Sequence, residues 1–286
     1  MANDKIAVKA RKSDKSGSLR SAAHKTAGAA RTKRKIFGIV RLVVLSLFAV
    51  FFAIPVITTA IRSFSFEGRI GLKQYWELFV TNFTYLDYFW NSVIYAVSTT
   101  VVCILISIPI GFLFAKVRFR GRDGLFFVFI LVMMLPFQAT LLPNYIQLRD
   151  FNMLNTPFAL SVPMMFSPFA VFLLRQFMKT IPDSLIDATL IDTSSVIKTF
   201  RYAILPNIKP AIVSLSILIF CESWNMVDQA LIFSMDNDMI MPLSVVLSEI
   251  PENVKYAGST VYMFPVIMLF VMFREALEQS MESYKL

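Results

Sequence analysis

The sequence offers few side chains for catalysis or metal binding. Its single histidine, His24, lies in a basic N-terminal stretch, and its two cysteines, Cys103 and Cys221, lie in separate apolar runs. A zinc site, or a nucleophile activated by histidine, needs several such residues close together. The sequence also lacks the glycine-rich loops that bind the phosphates of ATP or of a dinucleotide. We therefore predict no catalytic residue, no metal site and no cofactor bound by this chain.

Polar residues inside an apolar run at residues 211–233 are the stronger candidates for a functional site. Glu222, Asn225, Asp228 and Gln229 would fall within about 120° of arc if the run forms one α-helix, with Glu222 nearest its middle. A charge at the centre of a bilayer costs about 2.5–3.5 kcal/mol on insertion scales, so this stripe should face protein or water. Two interpretations remain open: the residues line a pathway for a hydroxyl-rich substrate, or they form hydrogen bonds between helices.

The composition indicates that a membrane surrounds these residues. Of the 286 residues, 56% are hydrophobic and 16% are charged, and the mean hydropathy is +0.63. A soluble domain of this size could not bury so much apolar surface. We therefore predict an all-α, polytopic membrane protein with six transmembrane helices, each long enough to cross about 30 Å of hydrocarbon. The six apolar runs occupy residues 36–61, 91–115, 125–143, 157–174, 211–233 and 256–273.

Basic residues are distributed unevenly along the chain. Of the 28 Lys and Arg residues, 11 lie before residue 36, in a polar stretch that we predict to be a disordered tail, residues 1–35. The transmembrane domain then comprises residues 36–286. If the chain crosses the membrane six times, 23 basic residues lie on one side and 5 on the other. The side with more basic residues includes both termini, so the positive-inside rule places both termini in the cytoplasm. We expect the tail to contact anionic headgroups of the lipid bilayer, and we expect no nucleic-acid partner.

The segment at about residues 176–209 is predicted to lie in the cytoplasm. A structureless loop of this length is unusual, so we predict two short helices. Pro182 suits the first turn of one helix, and the charge of Asp183 near its start complements the helix dipole. The run Thr193-Ser194-Ser195 suits the N-cap of a second helix, which should end before Pro206.

This segment also carries a recognisable pattern. It resembles the E-A-A-x-x-D-G-A signature, followed by F and L-P, of permease subunits in binding-protein-dependent ABC importers. Downstream, Ser223-Trp224-Asn225 is similar to the W-N element of carbohydrate-type permeases of the maltose class. The residues that match the signature are Asp187, Ala188, Thr189, Asp192, Thr193, Ser194, Phe200, Leu205 and Pro206.

The resemblance implies a type I ABC importer permease fold in the bacterial cytoplasmic membrane. The chain would form half of the translocation pathway for a carbohydrate, in particular an oligosaccharide, with Trp224 stacking on a sugar ring. The implied partners are a second, different permease, two cytoplasmic ATPase subunits that use ATP and Mg, and an extracytoplasmic substrate-binding protein. The matched segment would dock into a groove of an ATPase, so ATP hydrolysis would take place outside this chain.

The pattern departs from the signature at Asp187, Thr189, Thr193 and Ala203. Thr193 replaces a glycine that allows a left-handed turn between two helices. A β-branched residue adopts that conformation only at a cost of about 1–2 kcal/mol. Thr193 instead suits an extended N-cap.

Other functions also fit a six-span membrane protein. An ion-coupled secondary transporter would use Glu222 or Asp228, and such transporters are often built from inverted repeats, of which the sequence shows no convincing example. An intramembrane enzyme would need a group of His, Ser/Lys or paired Asp residues that the apolar runs lack. A membrane assembly scaffold would carry no substrate flux.

Overall fold

The computed structural model describes residues 37–66, 68–193 and 195–282. The predicted tail at residues 1–35 and Ser194 therefore lie outside the described residues. The chain divides into two compact units, residues 1–59 and 60–286. In the first unit, residues 37–59 form most of helix α1, Phe37–Ser63.

The second unit is built mainly from helices. One two-stranded antiparallel ribbon, β1 (Ser65–Phe66) with β2 (Arg69–Ile70), follows α1 and pairs Ser65 with Ile70. The longer helices are α3 (Thr84–Lys116), α4 (Arg122–Met133), α5 (Phe137–Asp150), α7 (Pro168–Thr180), α8 (Asp183–Thr193), α10 (Leu205–Trp224) and α13 (Lys255–Glu282). The shorter elements are α2 (Lys73–Trp76), α6 (Pro157–Ser161), α9 (Val196–Thr199), α11 (Asp228–Phe233) and α12 (Leu243–Val246), with 3₁₀ turns at Val162–Met164 and Asp238–Ile240 and π-helical turns at Glu77–Thr81 and Phe200–Ile204.

The predicted all-α architecture with six membrane passages is confirmed, with the bent pair α4–α5 counted as one passage. Within the described residues, five further helices are long and apolar enough to cross a bilayer. The passages, called spans 1 to 6, are Phe37–Ser63, Thr84–Lys116, Arg122–Met133 with Phe137–Asp150, Pro157–Thr180, Ile197–Trp224 and Lys255–Glu275.

Proline residues shape spans 3 and 4. Helices α4 and α5 meet at an angle of 99°, and Pro136 immediately precedes α5. Proline has no N–H group for the helix ladder and pushes the preceding residue out of helical geometry. Span 4 is interrupted in the same way between the 3₁₀ turn that contains Pro163 and the start of α7 at Pro168. Spans 3 and 4 are therefore both interrupted at proline residues, whereas α13 continues through Pro265.

Helices α3, α7 and α10 form the largest cluster of buried side chains. Cys103, Leu174 and Leu215 contribute one fully buried side chain from each helix. Ser107 and Gly111 lie four residues apart on α3, and both are buried. A Cβ atom built at Gly111 would lie 3.1 Å from the Cβ of Leu174, so the missing side chain lets α3 and α7 approach closely. This small-residue contact holds span 2 against span 4.

Candidate functional site

The elbow, defined here as residues 183–204, follows span 4 and includes the first eight residues of span 5, 197–204. Its first helix, α8, begins at Asp183, one residue after Pro182, which was predicted to lie in the first turn. The ammonium group of Lys116, the last residue of α3, donates to the carbonyl of Ile181 at 2.6 Å and to a carboxylate oxygen of Asp183 at 2.7 Å. The hydrogen bond and the positive charge of Lys116 lower the pKa of the Asp183 carboxyl below its usual value. The start of the elbow is thus attached to span 2 by an ion pair.

The elbow exposes both apolar and acidic side chains. Ile191 and Ile197 are 81% and 80% exposed, and Asp187, Ala188 and Asp192 are also exposed. On the other side of α8, Ile186 packs against the buried cluster of α3, α7 and α10. Large apolar side chains that remain this exposed next to charges are typical of an interaction surface.

The connection between the two elbow helices differs from the prediction for Thr193. Thr193 is the last residue of α8, so neither a left-handed turn nor an extended N-cap is needed there. The cap of the next helix is Ser195, whose hydroxyl accepts a hydrogen bond from the backbone N–H of Lys198 at 3.5 Å. Ser195 satisfies a backbone donor that the first helical turn otherwise leaves unpaired. A second helix start in this triplet is therefore confirmed, but two residues later than Thr193.

The second elbow helix continues into span 5, and the prediction that it ends before Pro206 is wrong. Residues 196–199 are α-helical, the π-helical turn covers Phe200–Ile204, and α10 follows at once. Pro206 falls in the first turn of α10, directly after the π-helical turn, and the helix continues through it. The side chain of Asn207 donates to the Ala203 carbonyl at 2.6 Å and supports this junction.

The matched residues near this junction serve two different surfaces. The ring of Phe200 contacts the ring of Phe112 on α3 with centroids 5.6 Å apart, so Phe200 packs the elbow against span 2. Leu205 and Pro206 are exposed at the start of α10. The hydroxyl of Thr189 donates within α8 to the Leu185 carbonyl at 2.8 Å.

Span 5 ends at Trp224, so the prediction of a single helix over residues 211–233 is wrong. The amide side chain of Asn225 donates to the Cys221 carbonyl at 2.7 Å, in the manner of a helix-ending residue. Its amide oxygen accepts a hydrogen bond of 2.6 Å from the hydroxyl of Tyr262 on span 6. A new helix, α11, starts at Asp228. Glu222 therefore lies in the last turn of α10 and not at the middle of a span.

The predicted polar residues nevertheless meet at one cavity of about 210 Å³. They converge because the chain turns at residues 225–227, and not because they form a stripe on one helix. Gln229 is only 3% exposed, and its side-chain oxygen has no hydrogen-bond partner among the described residues. The lining residues are Phe137, Met164, Glu222, Asn225, Met226, Val227, Asp228 and Gln229.

Trp224 does not line this cavity, which corrects the expectation that it stacks on a sugar ring. The side chain is fully buried. The rings of Phe220 and Tyr262 stack on it, each with centroids 5.6 Å away and with interplanar angles of 13° and 29°. The indole N–H donates to the Tyr262 carbonyl at 3.2 Å. Trp224 therefore joins span 5 to span 6 and presents no free ring face to a ligand.

Some residues of the site were missed by sequence reasoning. Lys116 attaches the elbow to span 2, and Tyr262 holds the end of α10 through Asn225. Phe137 and Met164 bring spans 3 and 4 to the cavity. A basic residue at the end of an apolar run was a visible signal for Lys116, but no sequence spacing pairs Tyr262 with Asn225.

A six-passage helical protein with a polar cavity at a broken span belongs to the class of membrane transport proteins. In the described part of the chain, no group of three or more His, Cys, Asp or Glu residues could hold a metal ion. Residues 107–283 match the family described as "binding-protein-dependent transport system inner membrane component", and the chain belongs to this family. The resemblance found in the sequence is thereby confirmed. The protein is a multi-pass permease of the cell membrane and not the catalytic subunit of its transport system.

Several curated proteins are similar to this chain over most of its length. The arabinooligosaccharides transport system permease protein AraQ of Halalkalibacterium halodurans is 28% identical over 212 residues, which cover 72% of this chain and 76% of AraQ. The diacetylchitobiose uptake system permease proteins DasC and NgcG of Streptomyces coelicolor are 30% and 26% identical. The DasC alignment covers 66% of this chain and 72% of DasC, and the NgcG alignment covers 90% and 91%.

A solved structure confirms the type I importer permease fold. A chain from the crystal structure of a bacterial ABC transporter involved in the import of the acidic polysaccharide alginate superposes with a TM-score of 0.75 at 22% sequence identity. The match covers 85% of this chain and 97% of that chain. At this identity the likeness establishes the fold, and the substrate must be argued from the site.

Proposed function

We propose that this chain forms half of the translocation pathway of an ATP-driven importer for carbohydrate, in particular for oligosaccharides. The observation that carries the proposal is the polar cavity at the end of span 5, which a continuous helical path joins to the exposed elbow. A movement of the elbow would reach the cavity along this path without crossing a flexible loop. Permeases named for arabinooligosaccharide and diacetylchitobiose transport are among its relatives, which supports the substrate class.

The proposed complex contains a second, different permease, two cytoplasmic ATPase subunits and an extracytoplasmic substrate-binding protein. The ATPases bind ATP and Mg²⁺, and this chain binds no cofactor. The exposed residues Ile191, Ile197 and Asp187 dock on an ATPase. Docking removes the two isoleucine side chains from water, which stabilises the complex. Phe200 holds the elbow against span 2 through its contact with Phe112.

The proposed orientation places both termini, the elbow and the tail in the cytoplasm of a bacterial cell. The distribution of 23 basic residues on the elbow side and 5 on the opposite side supports this orientation. Acidic residues on the opposite side, including Asp236, Asp238 and Glu252, are consistent with an extracytoplasmic face.

Purification of the tagged chain in mild detergent, followed by native mass measurement, tests the assembly. We expect one copy of this chain, one copy of a different permease and two copies of an ATPase. Recovery of the chain without any ATPase would contradict the proposal, and recovery of two copies of this chain with two ATPases would contradict the heterodimer alone.

A further inference from the structure

We propose that the cavity at the end of span 5 is a charge filter that admits uncharged or amino-bearing glycosyl units and rejects anionic ones. The inference rests on the proposed carbohydrate function and adds to it a chemical class of substrate. It starts from Gln229, whose side-chain oxygen is buried at the cavity without a hydrogen-bond partner in the described residues. A buried, unpaired acceptor is costly, so a small shift of the Gln229 side chain that brought this oxygen into the cavity would favour a ligand with an O–H or N–H donor.

The other polar groups of the cavity are also acceptors. Neither the Glu222 nor the Asp228 carboxylate forms an ion pair with a described residue. The amide of Asn225 is already engaged, because its nitrogen donates to Cys221 and its oxygen accepts from Tyr262. None of the described lining residues is basic. The cavity therefore presents two unpaired carboxylates, and the unpaired oxygen of Gln229 is buried beside them.

The size and the apolar lining of the cavity restrict the ligand further. Sites for drug-sized ligands have volumes of about 300–1,000 Å³. A cavity of about 210 Å³ is smaller than this, so it would contact one sugar ring of an oligosaccharide rather than the whole molecule. Phe137, Met164 and Met226 supply apolar surface for the C–H face of such a ring. An oligosaccharide would pass ring by ring, so each unit would meet the two carboxylates.

Anionic substituents conflict with this lining. A carboxylate, sulfate or phosphate on the ring would face Glu222 and Asp228 without a cation in the described lining to neutralise it. Like charges repel, and the repulsion is stronger beside an apolar protein surface than in bulk water. Hydroxyl and ammonium groups, in contrast, would donate to the carboxylates and to Gln229.

Charged thiol reagents measure this electrostatic preference directly. Val227 lines the cavity, so Val227→Cys places a reactive thiol there; Cys221→Ala removes the neighbouring native thiol, and Cys103 is fully buried. The purified complex with both substitutions is treated with aminoethyl, sulfonatoethyl and methyl methanethiosulfonate. We compare the reaction rate of the cationic reagent with that of the anionic reagent, because the ratio of these two rates does not depend on the intrinsic reactivity of the thiol. We expect this ratio to exceed that of 2-mercaptoethanol by about tenfold or more, as for a cleft lined by one sign of charge.

Removal of the two charges is the decisive comparison. Adding Glu222→Gln and Asp228→Asn should return the ratio towards that of 2-mercaptoethanol, whereas Glu275→Gln, the same chemistry outside the cavity, should leave it unchanged. A wild-type ratio equal to that of the free thiol, an unchanged ratio in the double variant, or no reaction with any reagent would overturn the proposal. The readout needs no transport, so a failure of carbohydrate uptake would contradict the proposed function without altering this ratio.

Discussion

Ile197→Asp should release the ATPase from the permease while leaving the permease folded. Ile197 is 80% exposed, so the substitution should change the chain's own free energy of unfolding by no more than about 0.5 kcal/mol. If the elbow docks as proposed, the carboxylate must be buried at the interface without a partner. Central interface residues contribute about 2 kcal/mol or more, which corresponds to a loss of affinity of about 30-fold. The amount of ATPase retained by the tagged permease measures the effect.

Ile70→Asp is the matched control for this experiment. Ile70 is 93% exposed and lies in the β-ribbon between spans 1 and 2, on the opposite side of the membrane from the elbow. The same substitution there should leave ATPase association unchanged. Full ATPase association in the Ile197→Asp permease would show that this surface is not the coupling interface.

Trp224→Ala should be the most destabilising single substitution that we consider. Replacing a fully buried Trp or Phe by Ala costs about 3–5 kcal/mol, because the transfer free energy is lost and a cavity remains. Here the change also removes two stacked aromatic contacts and the hydrogen bond to the Tyr262 carbonyl. The midpoint of thermal unfolding in detergent, followed by thiol or tryptophan fluorescence, measures the loss.

Two further variants separate the causes of this loss. Trp224→Phe keeps an aromatic ring in the stack but removes the N–H donor, so it should cost less than Trp224→Ala. Trp76→Ala removes a tryptophan that is largely exposed and should leave the midpoint nearly unchanged. Equal midpoints for Trp224→Ala and Trp76→Ala would contradict the role of Trp224 in joining spans 5 and 6.

The sequence was sufficient to predict the membrane passages but not where the helix of span 5 begins and ends. A long apolar run in the sequence indicates only that a segment is surrounded by lipid or protein, and not where its helix begins or ends. The run at residues 211–233 continues across a break that depends on Asn225 accepting a hydrogen bond from Tyr262, 37 residues away. Pro206 was interpreted as a helix end, because the sequence does not reveal that a π-helical turn at Phe200–Ile204 places this proline in a first helical turn.

For the candidate site too, the sequence predicted which residues are involved but not how they are arranged. Glu222, Asn225, Asp228 and Gln229 were selected because polar residues in an apolar run are costly, and that reasoning holds for any geometry that gathers them. Their arrangement on one helical face was wrong, since it assumed an unbroken helix. Trp224 was assigned to the pathway from its position beside these residues, but the direction of a side chain at a helix end is set by tertiary contacts such as those with Phe220 and Tyr262.

ATP-dependent uptake into proteoliposomes tests the central claim most directly. The purified complex is reconstituted with ATP and Mg²⁺ inside the vesicles, and labelled arabinotriose or diacetylchitobiose is added outside with the substrate-binding protein. We predict uptake of at least one of these neutral oligosaccharides that requires both internal ATP and the binding protein. Uptake that proceeds without ATP and follows an imposed proton or sodium gradient would contradict the account and favour an ion-coupled transporter.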